Sequence, residues 1–177
     1  PEMFDSGFSL NVERTADADG ATANFLSGLA ARLRATVLAG TTANGPDARG
    51  RNRALAFGPD GADIARDDKL HPFFFGREPE RFSGGDRITG FPCNGFTACP
   101  VVCYDLRFPE LFRAGLAMGA DLFCVIANWP AARAAHWRAL LIARAIENQA
   151  YVAGVNRCGN DPHLAYSGGS IVVGPKG

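Results

Sequence analysis

The feature that most constrains the fold is residues 98–110, where the chain changes character twice within a short distance. An apolar run, Pro100-Val101-Val102, leads straight into Cys103, and the polar pair Tyr104-Asp105 follows at once. Phe108-Pro109-Glu110 then favours a helix start, because proline suits the first helical position and glutamate suits the positive end of the helix dipole. The stretch therefore predicts a buried strand, a sharp turn and a helix, with a thiol on the turn.

A thiol at the end of a strand lies close to unpaired backbone N–H groups, which is a favourable place for a nucleophile. A single cysteine is more often an unreactive buried side chain, so the turn alone leaves both interpretations open. The longer stretch Val102–Glu110, however, resembles the nucleophile motif of the nitrilase superfamily. These carbon–nitrogen hydrolases use a Glu-Lys-Cys triad.

Three further stretches are similar to the same family, in the family's order. They are Pro1-Glu2-Met3-Phe4, then Asp68-Lys69-Leu70-His71-Pro72-Phe73, and finally Ala127-Asn128-Trp129-Pro130 followed by residues 143–152. The last of these is most similar to the omega-amidase-like branch. The resemblance covers nearly the whole chain.

The resemblance implies one carbon–nitrogen hydrolase domain over residues 1–177, folded as a four-layer α-β-β-α sandwich. Strand–helix alternation in the second half of the chain independently predicts an α/β layered fold. Members of the family are usually dimers that associate through their helices, so we expect a homodimer or a higher homo-oligomer. We also expect a first strand and helix, and a C-terminal segment, to lie outside the sequence given.

Residue by residue, the resemblance implies that Cys103 is the nucleophile and Glu2 the general base. Lys69 would stabilise the oxyanion together with the backbone N–H of Tyr104. A free thiol has a pKa of about 8.5 and needs a base or a cation to react at neutral pH. Without the motifs, Glu2 and Lys69 would each be interpreted as a solvated surface residue.

The family's second glutamate, which orients the lysine and the substrate, corresponds to Glu78. Glu80 competes for that role, and the spacing from Phe82-Ser83-Gly84-Gly85 favours Glu78. All of these roles, catalytic for Glu2, Lys69, Cys103 and Glu78, are expectations from the resemblance.

Trp129 is expected to line the substrate pocket, because it lies on the loop that leaves a buried strand. Arg133 is then a candidate clamp for a substrate carboxylate, since guanidinium binds carboxylates with two parallel hydrogen bonds. The alternative for Arg133 is a surface arginine at a helix start. Arg107 is expected to make a structural ion pair with Asp105 or Glu110.

Other kinds of site are disfavoured by spacing. Cys93, Cys99 and Cys103 lack the paired Cys-x-x-Cys pattern of zinc sites, so we predict no metal. No Ser or Asp spacing supports a histidine triad around His71 or His136, and no useful phosphate-binding loop is present. The predicted enzyme therefore needs no cofactor.

Composition excludes several partners. The 18 basic and 18 acidic residues balance, which argues against nucleic-acid or membrane-surface binding driven by bulk charge. No apolar run approaches the roughly 18 residues of a membrane span, and no signal peptide is visible. Five cysteines without a repeating spacing fit a reducing compartment, so a cytoplasmic location is expected.

Periodicity predicts the remaining elements. Residues 21–34 form an amphipathic helix, and residues 52–66 form a hairpin around a Pro-Asp-Gly turn. A second hairpin turns at Asn94-Gly95. Residues 122–127 and 151–156 read as buried strands, a helix lies between them, and residues 160–169 form a loop.

The resemblance to the omega-amidase-like branch implies a cofactor-free amidase that hydrolyses a small ω-amide of a keto dicarboxylic acid through a thioester and releases ammonia. A nitrilase and an N-carbamoyl amino acid amidohydrolase would share the triad and differ in the pocket. A non-enzymatic alternative is a binding or structural subunit that keeps the fold without turnover.

Overall fold

The computed structural model describes residues 1–177. The chain divides into two compact units, residues 2–89 and residues 90–177, with Pro1 grouped with the latter. We call these the N-terminal unit and the C-terminal unit. None of the helices combines the length and the apolar character that a membrane-spanning helix needs.

The N-terminal unit is built on an antiparallel sheet of three strands in the order β1-β2-β3. Two helices precede the sheet, and two short 3-10 helices follow it. The elements are α1 (Val12–Thr15), α2 (Ala21–Leu33), β1 (Val37–Asn44), β2 (Gly50–Phe57), β3 (Asp63–Asp68) and the 3-10 helices Phe74–Gly76 and Glu78–Glu80.

The predicted amphipathic helix and the predicted hairpin are both present in the N-terminal unit. Helix α2 buries Leu26 and Ala30 against Leu55 and Phe57 of β2, which gives the unit one of its apolar clusters. The turn between β2 and β3 is closed by Gly61, which has a φ of 83° that glycine adopts without strain. This hairpin fixes where β3 ends, and therefore where the next residue stands.

The C-terminal unit contains a five-stranded sheet in the order β10-β7-β6-β5-β4. Strands β5, β6 and β7 are parallel, and β4 and β10 are antiparallel to their neighbours. The elements are β4 (Phe91–Cys93), β5 (Phe96–Val102), α3 (Pro109–Ala117), β6 (Leu122–Ala127), α4 (Ala134–Asn148), β7 (Tyr151–Asn156), β8 (Cys158–Asn160), β9 (Ala165–Ser167) and β10 (Ile171–Val173).

Helices α3 and α4 pack closely on one face of this sheet. A Cβ at Gly115 of α3 would lie 2.6 Å from the ring of Phe123, and a Cβ at Gly154 of β7 would lie 2.6 Å from Leu141. The rings of Phe112 and Phe123 pack at an interplanar angle of 50°, with centroids 4.8 Å apart. The α/β alternation predicted for this half of the chain is confirmed.

Two local predictions were wrong. Strand β7 is not buried on both faces, because Tyr151 and Val155 are 42% and 44% exposed, whereas Val152 and Gly154 on the opposite face are buried. The segment 160–169 is not a plain loop, because β8 and β9 pair as a short ribbon. Asp161 organises the turn of that ribbon by accepting hydrogen bonds from the backbone N–H groups of His163 and Leu164.

Candidate active site

The thiol predicted on a turn stands where β5 ends. Cys103 begins a 3-10 helix, Cys103–Arg107, and α3 starts after one further residue. The Cys103 backbone has a φ of 49°, a left-handed conformation that costs a non-glycine residue about 1–2 kcal/mol. Backbone strain of this kind clusters at functional sites because the surrounding structure must impose it. The predicted sequence of strand, turn and helix is confirmed.

Strand β5 and the residues after the turn hold Cys103 in place. The thiol residue is buried, as are Val102 before it and Leu106 after it. The ring of Tyr104 packs edge-on against Phe108, with centroids 5.3 Å apart. From α4, Arg144 donates a hydrogen bond from Nε to the carbonyl oxygen of Leu106 at 3.2 Å. The turn is therefore stabilised both by the residues that follow it directly and by Arg144 of α4.

Lys69 directly follows β3, and it is only 1% exposed. Its ammonium lies between two carboxylates, 2.9 Å from Glu2 Oε1 and 2.8 Å from Glu78 Oε2. Its Nζ also lies 5.5 Å from the centroid of the Phe8 ring. A lysine in this setting is a buried, paired cation and not a solvated surface residue.

Glu2 is fully buried. Met3, which follows it, has a φ of 40° and accepts a backbone hydrogen bond from Gly7, so the chain turns sharply after the glutamate. Phe4 N–H donates to the carbonyl oxygen of Gly40 at 2.9 Å and ties this turn to β1. The carboxylate is thus fixed by a turn that is anchored on the sheet.

Of the two competing glutamates, Glu78 is the one that binds the lysine. Glu78 is fully buried, and its Oε2 also accepts a hydrogen bond from the backbone N–H of Phe73 at 2.5 Å. Glu80 is exposed and pairs with the guanidinium of Arg77, which holds the pKa of the Glu80 carboxyl below its usual range. The placement therefore agrees with the motif spacing.

No sequence motif points to Asn52, a buried residue of β2. Its Nδ2 donates to Glu2 Oε1 at 2.6 Å and to Glu78 Oε1 at 2.8 Å. Its backbone carbonyl accepts a hydrogen bond from Lys69 N–H at 2.8 Å. Asn52, Ala54 and Ala56 are all buried at alternate positions of β2. A polar residue among alanines that share one face of a strand is the sequence signal that could have identified Asn52.

We call Glu2, Asn52, Lys69 and Glu78 the carboxylate–lysine network. Two carboxylates and one ammonium are removed from water here, which is strongly unfavourable unless each group is paired and hydrogen-bonded. The network meets that condition through the two ion pairs and the shared amide donor. It offers a fixed positive charge beside a carboxylate that can take up a proton.

In the C-terminal unit, Trp129 is buried and its backbone is clamped by one side chain. Asn156 Oδ1 accepts from Trp129 N–H at 2.7 Å, and Asn156 Nδ2 donates to the Trp129 carbonyl oxygen at 3.0 Å. The Trp129 indole donates to the carbonyl oxygen of Arg133 at 2.8 Å and packs against Trp137. Trp129 and Arg133 are therefore joined, through the arginine's backbone.

Arg107 does not make the ion pair expected from its sequence neighbours. Its guanidinium carbon lies 5.1 Å from the centroid of the Trp129 ring, and its Nη2 lies 3.1 Å from His136 Nδ1. The expectation failed because a cation–π contact with a residue far along the chain took precedence over local charges. His136 is exposed at its place on α4, so it is not a core histidine.

The five cysteines are all free thiols in different surroundings. Cys99 is buried, Cys93 and Cys124 are half-buried, and Cys158 is exposed. Burial raises the pKa of the Cys124 thiol to about 12, so it carries almost no thiolate at neutral pH. Within residues 1–177, no three His, Cys, Asp or Glu side chains are grouped as metal ligands would be.

Comparison with known proteins identifies the family. The carbon-nitrogen hydrolase family model matches residues 1–177. The chain belongs to the carbon-nitrogen hydrolase family. Two curated relatives are omega-amidase YafV of Escherichia coli K12, 40% identical over 178 residues, and the 2-oxoglutaramate amidase of Bacillus subtilis 168, 34% identical over 179 residues. Each alignment spans the whole of this chain and 68% or 69% of the relative.

Solved structures agree with this assignment. The CN-hydrolase superfamily protein XC1258 from Xanthomonas campestris, which carries an arsenic adduct in its active site, superposes with a TM-score of 0.93 at 40% identity. The match covers 99% of this chain and 69% of that protein. The α/β fold of the nitrilase type and the family predicted from the four motifs are both confirmed. The chain spans roughly two thirds of the length of these relatives.

Proposed function

We propose that this protein is an amidase of the omega-amidase type, which hydrolyses the ω-amide of a keto dicarboxylic acid such as 2-oxoglutaramate. The observation that carries the proposal is the buried Lys69 held between Glu2 and Glu78, in a chain whose other unit presents Cys103 on a strained turn. The names of the E. coli and B. subtilis relatives support the substrate class.

In the proposed reaction, Cys103 Sγ attacks the amide carbonyl carbon while its proton passes to Glu2. Lys69 Nζ and the backbone N–H of Tyr104 stabilise the oxyanion of the tetrahedral intermediate. Removing one such donor typically costs about 3–4 kcal/mol of barrier. Collapse expels ammonia, which takes the proton from Glu2, and leaves a thioester on Cys103.

The second half of the reaction uses the same groups. Water attacks the thioester carbonyl, and Glu2 takes the proton that the water loses. Release of the carboxylic acid returns that proton to the Cys103 sulfur. Glu78 keeps Lys69 in place through both steps, which fits its hydrogen bonds to both the ammonium and the backbone of Phe73.

For the substrate we propose that Trp129 walls the pocket and that Arg133 binds the distal carboxylate. The hydrogen bond from the Trp129 indole to the Arg133 backbone supports treating these two residues as one element. Arg107 is the rival for the carboxylate, since its guanidinium carbon lies 5.1 Å from the centroid of the Trp129 ring.

The deciding experiment measures ammonia release by the full-length protein from 2-oxoglutaramate, from an N-carbamoyl amino acid and from a nitrile. An omega-amidase should favour 2-oxoglutaramate by kcat/KM. Preference for the carbamoyl or nitrile substrate would instead assign one of the two rival activities. Absence of turnover on all three would favour the catalytically silent subunit.

Thiol labelling provides a second test that does not need the right substrate. Cys103 should react with iodoacetamide at neutral pH faster than Cys93, Cys99 and Cys124, and activity should fall as it reacts. Because Cys158 is exposed, the measurement is best made in a Cys158→Ser background. Equal labelling of the other cysteines would contradict the assignment of Cys103 as nucleophile.

Three predictions from the sequence accompany this proposal. Hydrolysis should need no metal or cofactor, so EDTA should leave the rate unchanged. The protein should form a homodimer or a higher homo-oligomer, which analytical ultracentrifugation measures directly. It should reside in the cytoplasm, which cell fractionation tests.

A further inference from the structure

We propose that Asn52 is a positioning residue that holds the carboxylates of Glu2 and Glu78 on either side of Lys69. The inference rests on the proposed function, because it concerns the base and the cation of that reaction. It assigns a role to a residue that lies in none of the four sequence motifs.

The geometry shows that one side chain serves both carboxylates. The single Nδ2 of Asn52 lies 2.6 Å from Glu2 Oε1 and 2.8 Å from Glu78 Oε1, so each of its two hydrogens has its own acceptor. Asn52 is 2% exposed, and both glutamates are fully buried. Away from water, a shared donor of this kind fixes the distance between the two acids.

The backbone of Asn52 also positions the lysine. Lys69 N–H donates to the Asn52 carbonyl oxygen at 2.8 Å, which carries the β2–β3 pairing one residue beyond the end of β3. The side chain of Lys69 then reaches the same two carboxylates that the Asn52 amide holds. One residue of β2 thus sets the positions of three charged groups.

The orientation of the Asn52 amide follows from its neighbours. Turning the amide over would place Oδ1 within 2.6–2.8 Å of two carboxylate oxygens, where three acceptors would repel one another. In the favourable orientation Oδ1 is buried and has no hydrogen-bond partner among the protein atoms. Buried acceptors without a partner are rare, and a native protein that keeps one usually has a functional reason.

The expected consequence of the two donors is electrostatic as well as geometric. A hydrogen bond to an ionised carboxylate stabilises the charged form and so lowers its pKa. Removing the donors should raise the pKa of the general base. The acid limb of the pH–rate profile should then move to higher pH, because the base becomes competent only at higher pH.

The test compares Asn52→Leu, which has a similar volume and no donor, with wild type. We expect kcat to fall by about tenfold to a hundredfold, KM to change less than threefold, and the acid limb of kcat to move up by about one pH unit. Asn52→Ser keeps one donor that cannot bridge both acids, so it should lie between Asn52→Leu and wild type. It also serves if Asn52→Leu does not fold.

The matched control is Ser27→Ala in the same unit. Ser27 Oγ donates to the neutral carbonyl oxygen of Gly61 at 2.7 Å, so this change removes a hydrogen bond without touching a carboxylate. It should lower Tm without moving the pH profile. An unmoved acid limb in both Asn52 variants would overturn the positioning role, whatever happens to Tm.

A stability measurement separates this inference from the proposed function. The Asn52 amide donates to the Glu2 carboxylate and favours its ionised form, so this contribution is present at neutral pH and is lost as the pH falls and Glu2 protonates. The Tm difference between wild type and Asn52→Leu should therefore be larger at pH 7 than near pH 4, whereas that of Ser27→Ala should be constant. A pH-independent difference would contradict the inference even if the protein hydrolyses no amide.

Discussion

The two units of this protein hold their reactive groups by different means. In the N-terminal unit, Glu2, Lys69 and Glu78 are fixed by one another and by the Asn52 amide. In the C-terminal unit, Cys103 is fixed by its backbone, which bends into a left-handed conformation at the end of β5. Charged side chains are buried only when a polar network pairs them. A thiol is small and weakly polar, so it can be buried without such a network, and the backbone sets its direction.

This difference has an energetic consequence. Removing Lys69 would leave the buried carboxylates of Glu2 and Glu78 without their shared cation, which should destabilise the fold. Replacing Cys103 with alanine, by contrast, removes one small and weakly polar atom. Function and stability should therefore separate in the C-terminal unit and be inseparable in the N-terminal unit.

The largest effect is expected from Cys103→Ala. Loss of the nucleophile should lower kcat by about 10⁴-fold or more, as in other enzymes of covalent mechanism. Because alanine keeps the Cβ and loses only the weakly polar sulfur, Tm should stay within a few degrees of wild type. Steady-state ammonia release and a thermal melt measure the two effects. A large loss of Tm would show that the thiol itself stabilises the unit.

Lys69→Met should lower activity and stability together. The two carboxylates would face each other without a cation, which is expected to destabilise the unit by about 3–5 kcal/mol and to slow hydrolysis by at least about a hundredfold. Urea unfolding and kcat/KM provide the measurements. The double variant Lys69→Met with Glu2→Gln should regain stability, since one buried negative charge is gone, but not activity. Unchanged stability in the single variant would contradict the comparison.

Arg133→Ala is expected to have a smaller effect that depends on the substrate. A guanidinium–carboxylate pair contributes about 1.5–3 kcal/mol, so kcat/KM for 2-oxoglutaramate should fall about tenfold to a hundredfold. The loss should shrink for a matched amide that lacks the distal carboxylate. An equal loss on both substrates would mean that Arg133 supports structure, and Arg107→Ala should then show the substrate-dependent loss instead.

Thr42→Val should have the smallest effect, and a favourable one. Thr42 lies opposite Asn52 in the β1–β2 pairing, and its buried Oγ1 has no hydrogen-bond partner. Replacing it with the isosteric valine should raise stability by up to about 1 kcal/mol and leave kcat unchanged. Thr41→Val is the control, because Thr41 Oγ1 donates to Asp5 Oδ2 at 3.0 Å and its loss should lower Tm.

The local elements around the site were predictable from sequence because each is coded by neighbouring residues. The apolar run before Cys103, the proline at the start of α3 and the Asn94-Gly95 hairpin all appear where the pattern placed them. The position of Lys69 followed from the hairpin before it. Resemblance to a family then connected stretches that lie far apart in sequence.

Contacts between distant side chains could not be predicted in the same way. Asn52 meets residues 50 positions before it and 26 after it, and no local pattern encodes such a pairing. Arg107 was assigned to nearby acids but lies over Trp129 instead. Strands β8 and β9 lack the alternating apolar pattern that indicates a strand, so the sequence predicts a loop where the structure has a short two-stranded ribbon.

The left-handed backbone conformation of Cys103 implies a trade-off between the stability of the turn and the presence of a thiol on it. Glycine would adopt this conformation without strain. Glycine has no thiol, however, so a substitution that relieves the backbone strain would also remove the proposed nucleophile. A Cys103→Gly variant should therefore be inactive and yet melt higher than Cys103→Ala, if relief of about 1–2 kcal/mol of strain exceeds glycine's entropic penalty of about 0.5–1 kcal/mol. The proposed nucleophile therefore lies at a position where a side chain of any kind strains the backbone.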